Sequence, residues 1–243
     1  MRQRTSFSSM GDGRALRIPQ RFYTISTENW CMQPRRKRIL LIEATENAFQ
    51  EDHPLRECSV LRQCIELFVN ASERIDSLNI PGSPARPKSI PQFKHLLEED
   101  YPYIHVASHG DARGLRLRNK KYFEYDEFVK VDFSNKTELL FLNACELAKG
   151  GAALFALAAM CKGQMSDKYV IAPEPEVYFE TKLIFAMHFY DSLLAERKGI
   201  VEAFHTAGSL KGFPDLKYKC LDASKMKEHV MYNGKCEERD LIC

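Results

Sequence analysis

Short apolar runs separated by longer polar stretches set the rhythm of this chain. Ile39–Ile42, four apolar residues in a row within Arg36–Glu43, have the pattern of a strand buried on both faces. From His53 to Ala71 the apolar positions Leu55, Cys58, Leu61, Cys64, Ile65 and Phe68 recur mostly every three or four residues, which predicts one face of a helix. A short strand is expected at Ile75–Ile80 and a Pro/Gly turn at Pro81–Pro87. Ser89–Asp100 reads as a helix with Phe93, Leu96 and Leu97 inward, and Tyr103–Ala107 as a strand that stops at Ser108-His109-Gly110.

The second half continues the alternation. Leu115–Tyr125 alternates loosely around Asn119-Lys120 and predicts a small hairpin, followed by a short helix or turn over Tyr125–Val131. Leu139–Asn143 is another buried strand, ending at Ala144-Cys145, and Gly150–Cys161 is an Ala/Leu helix that must pack closely. Tyr169–Ala172 is a strand halted by Pro173 and Pro175, and helices follow over Val177–Ala195 and Gly199–Leu210. Strands alternating with helices predict an α/β fold with a mainly parallel sheet. The first 34 residues have no sustained period beyond one or two short strands within Ala15–Thr27. Residues 216–243 show little periodicity and read as a lid, a docking segment or disorder.

Composition narrows the class. With 243 residues, 44% hydrophobic, the chain can fill a core of one α/β domain or two small ones, which excludes collagen-like chains and wholesale disorder. No apolar run reaches the roughly 18 residues of a membrane helix, and Met1–Trp30 has no continuous apolar stretch of the secretory kind. A soluble, cytoplasmic protein with no membrane partner is therefore expected. The eight cysteines, at 31, 58, 64, 145, 161, 220, 236 and 243, form no CxxC pair and no zinc-ligand spacing, so most should be reduced and no metal or cofactor is expected. Charge is uneven: residues 1–38 hold nine Arg/Lys against Asp12 and Glu28, although the whole chain carries only +2. This basic arm is a solvated tail or a contact for an acidic partner. Without a zinc finger, recognition helix or aromatic-interleaved patch, nucleic acid is the less favoured partner.

Chemistry is expected beyond the carboxyl ends of the strands of an open α/β sheet. Two of those ends carry reactive residues, His109-Gly110 and Asn143-Ala144-Cys145. Both emerge on one sheet edge, where an imidazole and a thiol can face each other, and a following helix start favours the thiolate. Thiol attack on an acyl carbon needs a nucleophile, a proton shuttle and oxyanion donors. Cys145, His109 and the backbone N–H groups of Gly110 and Cys145 would supply them. Taken singly, a cysteine or histidine at a strand end is more often structural; joint placement favours the dyad.

The blocks Tyr103–Gly110 (YIHVASHG) and Glu138–Glu146 (ELLFLNACE) resemble the two signature blocks of caspase-like cysteine peptidases, and most closely those of CHAT domains. Val177–Leu210 resembles the helix pair that follows them there. The likeness spans about residues 36–212, with residues 1–35 as the basic arm and 213–243 as a tail. It implies a three-layer α/β/α sandwich, a His109/Cys145 dyad with no required third member, and cleavage of a protein substrate in a regulated or defence-like, for example antiviral, setting. Asn143 and Leu147 depart from the strict caspase signature Gln-Ala-Cys-x-Gly, and Pro173–Glu176 (PEPE) departs from the usual segment after the next strand. The family's partner repeats are missing from this chain, so regulation would fall to a separate protein or to the terminal segments.

Carboxylates near these strand ends, Glu43, Glu146, Glu174 and Glu176, suggest a pocket for a Lys or Arg side chain. The alternative is that Glu146 is a structural acceptor near the helix start and the Pro-flanked glutamates are solvated. Two other function classes stand beside the endopeptidase. One is a catalytically silent scaffold that binds partners. The other is a nucleotide-binding α/β domain, for which no phosphate-cradling glycine motif is present.

Overall fold

A computed structural model describes residues 37–44, 57–71, 78–79, 84–117, 120–162, 167–209, 216–232 and 234–241. The basic arm, including the strands expected within Ala15–Thr27, lies outside the described residues. The chain runs β1 (Lys37–Glu43), α1 (Glu57–Ala71), β2 (Leu78–Asn79), α2 (Ile90–Leu97), β3 (Tyr103–Ala107), β4 (His109–Asp111), β5 (Gly114–Arg116) and β6 (Tyr122–Glu124). It continues through α3 (Tyr125–Phe128), β7 (Leu139–Asn143), α4 (Ala152–Met160), β8 (Tyr169–Pro173) and α5 (Phe179–Tyr190), which ends in a widened π-helical turn, Asp191–Ala195. α6 (Ile200–Gly208), β9 (Lys217–Asp222), β10 (Lys227–Tyr232) and β11 (Lys235–Asp240) follow.

One eight-stranded sheet has the order β11-β10-β9-β8-β7-β3-β1-β2, and β4-β5-β6 form a separate three-stranded sheet. From β2 to β8 the neighbours are parallel; β9, β10 and β11 are antiparallel additions at the other end. The central strands are apolar throughout because both faces are covered. Ile39, Leu41, Tyr103, Phe141 and Ile171 face α1, α5 and α6, where Leu61, Phe185, Phe189 and Phe204 meet them. Leu40, Ile42, Ile104, Val106, Leu140 and Leu142 face the other way, onto Phe93 of α2, Phe123 and Phe128, and the alanines of α4. The period of two within each strand thus feeds two cores, and the result is an α/β/α sandwich with a mainly parallel sheet. Among the described residues no helix is long and apolar enough to cross a membrane.

Lys217–Asp222, Lys227–Tyr232 and Lys235–Asp240 correct the expectation of a lid, a docking segment or disorder after residue 216: they are three strands of the main sheet. Tyr218 and Cys220 alternate with Lys217 and Lys219, and burial follows that alternation. The pattern fades towards β11, whose charged residues face water, as an edge strand that must not pair with other chains requires.

Candidate active site

β3 and β7 lie side by side in parallel, with Ala107 opposite Asn143 as the last rung. His109 and Cys145 each stand two residues past that rung, so one strand spacing carries both onto the same sheet edge. Ser108 turns the chain after β3: its N–H reaches the Asn143 carbonyl at 3.4 Å, and its hydroxyl donates to the Arg116 carbonyl at 2.9 Å. That bond folds β4 back on β5, with His109 exposed at the head of the hairpin.

Two glycines let the hairpin and the cysteine loop touch backbone to backbone. A Cβ on Gly110 would sit 2.7 Å from the Cys145 carbonyl oxygen and 3.0 Å from the Ala144 Cβ. A Cβ on Gly150 would sit 2.0 Å from the Ala112 carbonyl oxygen. The loop is also tied to the end of β8: Glu146 N–H donates to the Pro175 carbonyl at 3.3 Å and Ala148 N–H to the Pro173 carbonyl at 3.1 Å. Between them, Glu146 takes a left-handed φ of 58°, a conformation costly for a side chain with a Cβ and one that clusters at functional sites. Cys145 is half-buried, and its Sγ lies 3.7 Å from the Val177 carbonyl oxygen.

Beneath the loop is a buried polar network that the sequence reading missed. The Asn143 carboxamide donates to Glu57 Oε1 and to the Lys182 carbonyl (3.4 Å), while its oxygen accepts from the Tyr218 hydroxyl at 2.6 Å. His105 Nε2 lies 3.0 Å from the same Glu57 oxygen, and its Nδ1 lies 3.3 Å from the Tyr190 hydroxyl. Burial, reinforced by the Glu57 charge, pushes both tyrosine hydroxyls well above their usual pKa, so they remain donors. Asn143 immediately precedes Ala144-Cys145, so this network fixes where the Cys145 loop leaves the sheet. The available signal was a histidine inside an apolar strand and an asparagine at the end of its neighbour.

The four carboxylates divide. Glu43 is 3% exposed and accepts the Cys58 N–H at 2.8 Å, so it serves the start of α1. Glu174 ion-pairs with Lys217 at 2.5 Å and with Lys219 at 3.9 Å, in β9. Glu146 pairs with Lys149 at 3.2 Å, and Glu176 is exposed just before Val177, whose carbonyl faces the Cys145 sulfur. Of the four carboxylates suggested for a basic pocket, Glu146 and Glu176 thus lie in the segments that adjoin Cys145 and Val177, and Glu43 and Glu174 are tied into the scaffold. A cleft of about 670 Å³ opens elsewhere, against Tyr169, Ile200, His205 and Lys225, and takes no part in this constellation.

No family model matches the chain, and no curated protein matches it. Among solved structures it superposes on the complex of Porphyromonas gingivalis RgpB pro- and mature domains, with 10% identity and a TM-score of 0.42, over 84% of this chain and 62% of that one. A second match is the Arg-specific cysteine proteinase gingipain R (RgpB), with 10% identity and a TM-score of 0.37, over 84% and 60%. The chain thus spans about three fifths of the length of the structures it matches. Strand order and the packing of the two helical layers, rather than this likeness, define the fold.

Proposed function

We propose that the chain is a caspase-like cysteine endopeptidase of the CHAT kind, with Cys145 as nucleophile, His109 as proton shuttle and a protein as substrate. The observation that carries this reading is the seating of Gly110 against the Cys145 carbonyl, which joins the histidine hairpin to the cysteine loop. In the reaction the Cys145 thiol leaves its contact with the Val177 carbonyl and gives its proton to His109. The thiolate adds to the scissile carbonyl, and the Gly110 and Cys145 N–H groups receive the oxyanion. Collapse breaks the C–N bond as His109 returns the proton to the leaving amine. Water, deprotonated by His109, then releases the acyl group and restores the thiol. Glu146 and Glu176 favour a basic side chain next to the cut.

A library of peptide amides with Arg, Lys or Asp before the scissile bond tests the reading. Hydrolysis after Arg or Lys that is lost in both Cys145→Ala and His109→Ala is expected. Cleavage retained by either variant would overturn the dyad, and equal rates after Asp and Arg would overturn the basic preference. A chain that binds such peptides and cuts none would be the silent scaffold.

A further inference from the structure

A second grouping of histidine and cysteine lies wholly on regular elements. His205 on α6, His229 on β10 and Cys236 on β11 bring their ligand atoms within 4.8 Å of one another. The register explains the convergence. Met231 pairs with Cys236 and His229 with Glu238, so Cys236, Glu238 and His229 share one face of the β10–β11 hairpin. That face packs against α6: a Cβ on Gly208 would lie 1.8 Å from the Met231 sulfur, and His205 stands three residues earlier on the same side of the helix.

The distances suit a tetrahedral ion. Two imidazole nitrogens bound to zinc at about 2.0–2.1 Å lie about 3.3–3.4 Å apart. His205 Nε2 and His229 Nδ1 lie 3.4 Å apart, a long separation for a hydrogen bond between two rings. His229 is 2% exposed: its Nδ1 faces His205 and its Nε2 is buried without a hydrogen-bond partner, so the ring is buried with one of its two nitrogens unsatisfied. Glu238 Oε2 lies 3.9 Å from His229 Nδ1, outside the three-donor cluster, and a rotation of its half-exposed side chain would bring it in as a fourth donor.

The geometry points to a binding site for a divalent transition-metal ion of the zinc type, held by His205, His229 and Cys236 with Glu238 as fourth ligand. Two imidazoles and a thiolate select a borderline-soft ion over calcium or magnesium, which take oxygen ligands. A bound ion ties α6 to the β10–β11 hairpin, and the spacing of the donors along the chain, 24 and 7 residues apart, hid the site from motif reading.

The test is titration of the full-length Cys145→Ala chain with Co²⁺ and Zn²⁺, which keeps the proposed catalytic thiol out of the result. One equivalent of Co²⁺ with tetrahedral d–d bands and a thiolate-to-cobalt charge-transfer band is expected, and Zn²⁺ should displace it and raise the Tm. His205→Ala, on the exposed side of the cluster, and Cys236→Ser should each weaken binding by about 100-fold or more and abolish the Tm shift. Absence of stoichiometric binding, a spectrum without the thiolate band, or unchanged affinity in both variants would overturn the site.

Discussion

The two histidine–cysteine groupings set the same residue types in different surroundings. His109 heads β4 just past β3 and Cys145 sits on the loop after β7, with the histidine exposed and the thiol half-buried beside the Val177 carbonyl. His205, His229 and Cys236 sit on a helix and two strands, and converge to within 4.8 Å. A thiol that must form and break bonds needs access for a carbonyl carbon and donors for the charge that develops. Donors that hold an ion need fixed lone pairs converging on one point. A glycine-clasped hairpin and loop suit the first, and paired regular elements suit the second.

The sharpest way to break this comparison is at the dyad. Cys145→Ala and His109→Ala should each lower peptide hydrolysis by about 10⁴-fold while leaving the urea midpoint nearly unchanged. Next in size is the platform under the cysteine loop. Asn143→Ala strips a partner from Glu57 and from Tyr218 in the buried interior, and should cost about 3 kcal/mol, read from urea unfolding. Equal stability of that variant would mean that the network does not hold the loop.

Glycines separate the two regions in a third way. At Gly110 the obstacle to a Cβ is the backbone oxygen of Cys145, which cannot move alone, so Gly110→Ala should cost about 2 kcal/mol and reduce activity further. At Gly208 the obstacle is the flexible end of Met231, and alanine gains helix propensity, so Gly208→Ala should stay within about 1 kcal/mol of the parent.

Thiol chemistry gives the smallest and cleanest contrast. In metal-free protein, burial and then the charges of Glu237 and Glu238 hold Cys236 up at about 11. Its alkylation at pH 8 should therefore be slow and should accelerate as pH rises towards 11, because only the thiolate reacts. Fully buried Cys58 and Cys220, with pKa values pushed up by burial, should label only on unfolding.

Much of this was legible in the sequence because strands covered on both faces leave continuous apolar runs. Residues 39–42, 103–107 and 139–143 announced themselves in that way, and with them the positions of His109 and Cys145. The additions at the sheet's end did not. β9 to β11 interleave Lys and Glu with their buried residues, as strands near a solvent edge do, and a window that seeks apolar runs passes over them. The Asn143 network and the His205 cluster were hidden for a further reason. Their members come from distant parts of the chain, and only strand register and the packing of α1, α5 and α6 bring them together.

The central claim is that one of the cysteines is an activated nucleophile served by His109. Brief exposure of the full chain to a peptidyl acyloxymethyl ketone, followed by mass-spectrometric mapping of the adduct, tests it most directly. The account predicts modification of Cys145 well ahead of Cys64, Cys161 and Cys236, and its loss in His109→Ala. Labelling of another cysteine at the same rate, or labelling of Cys145 that ignores the loss of His109, would contradict it.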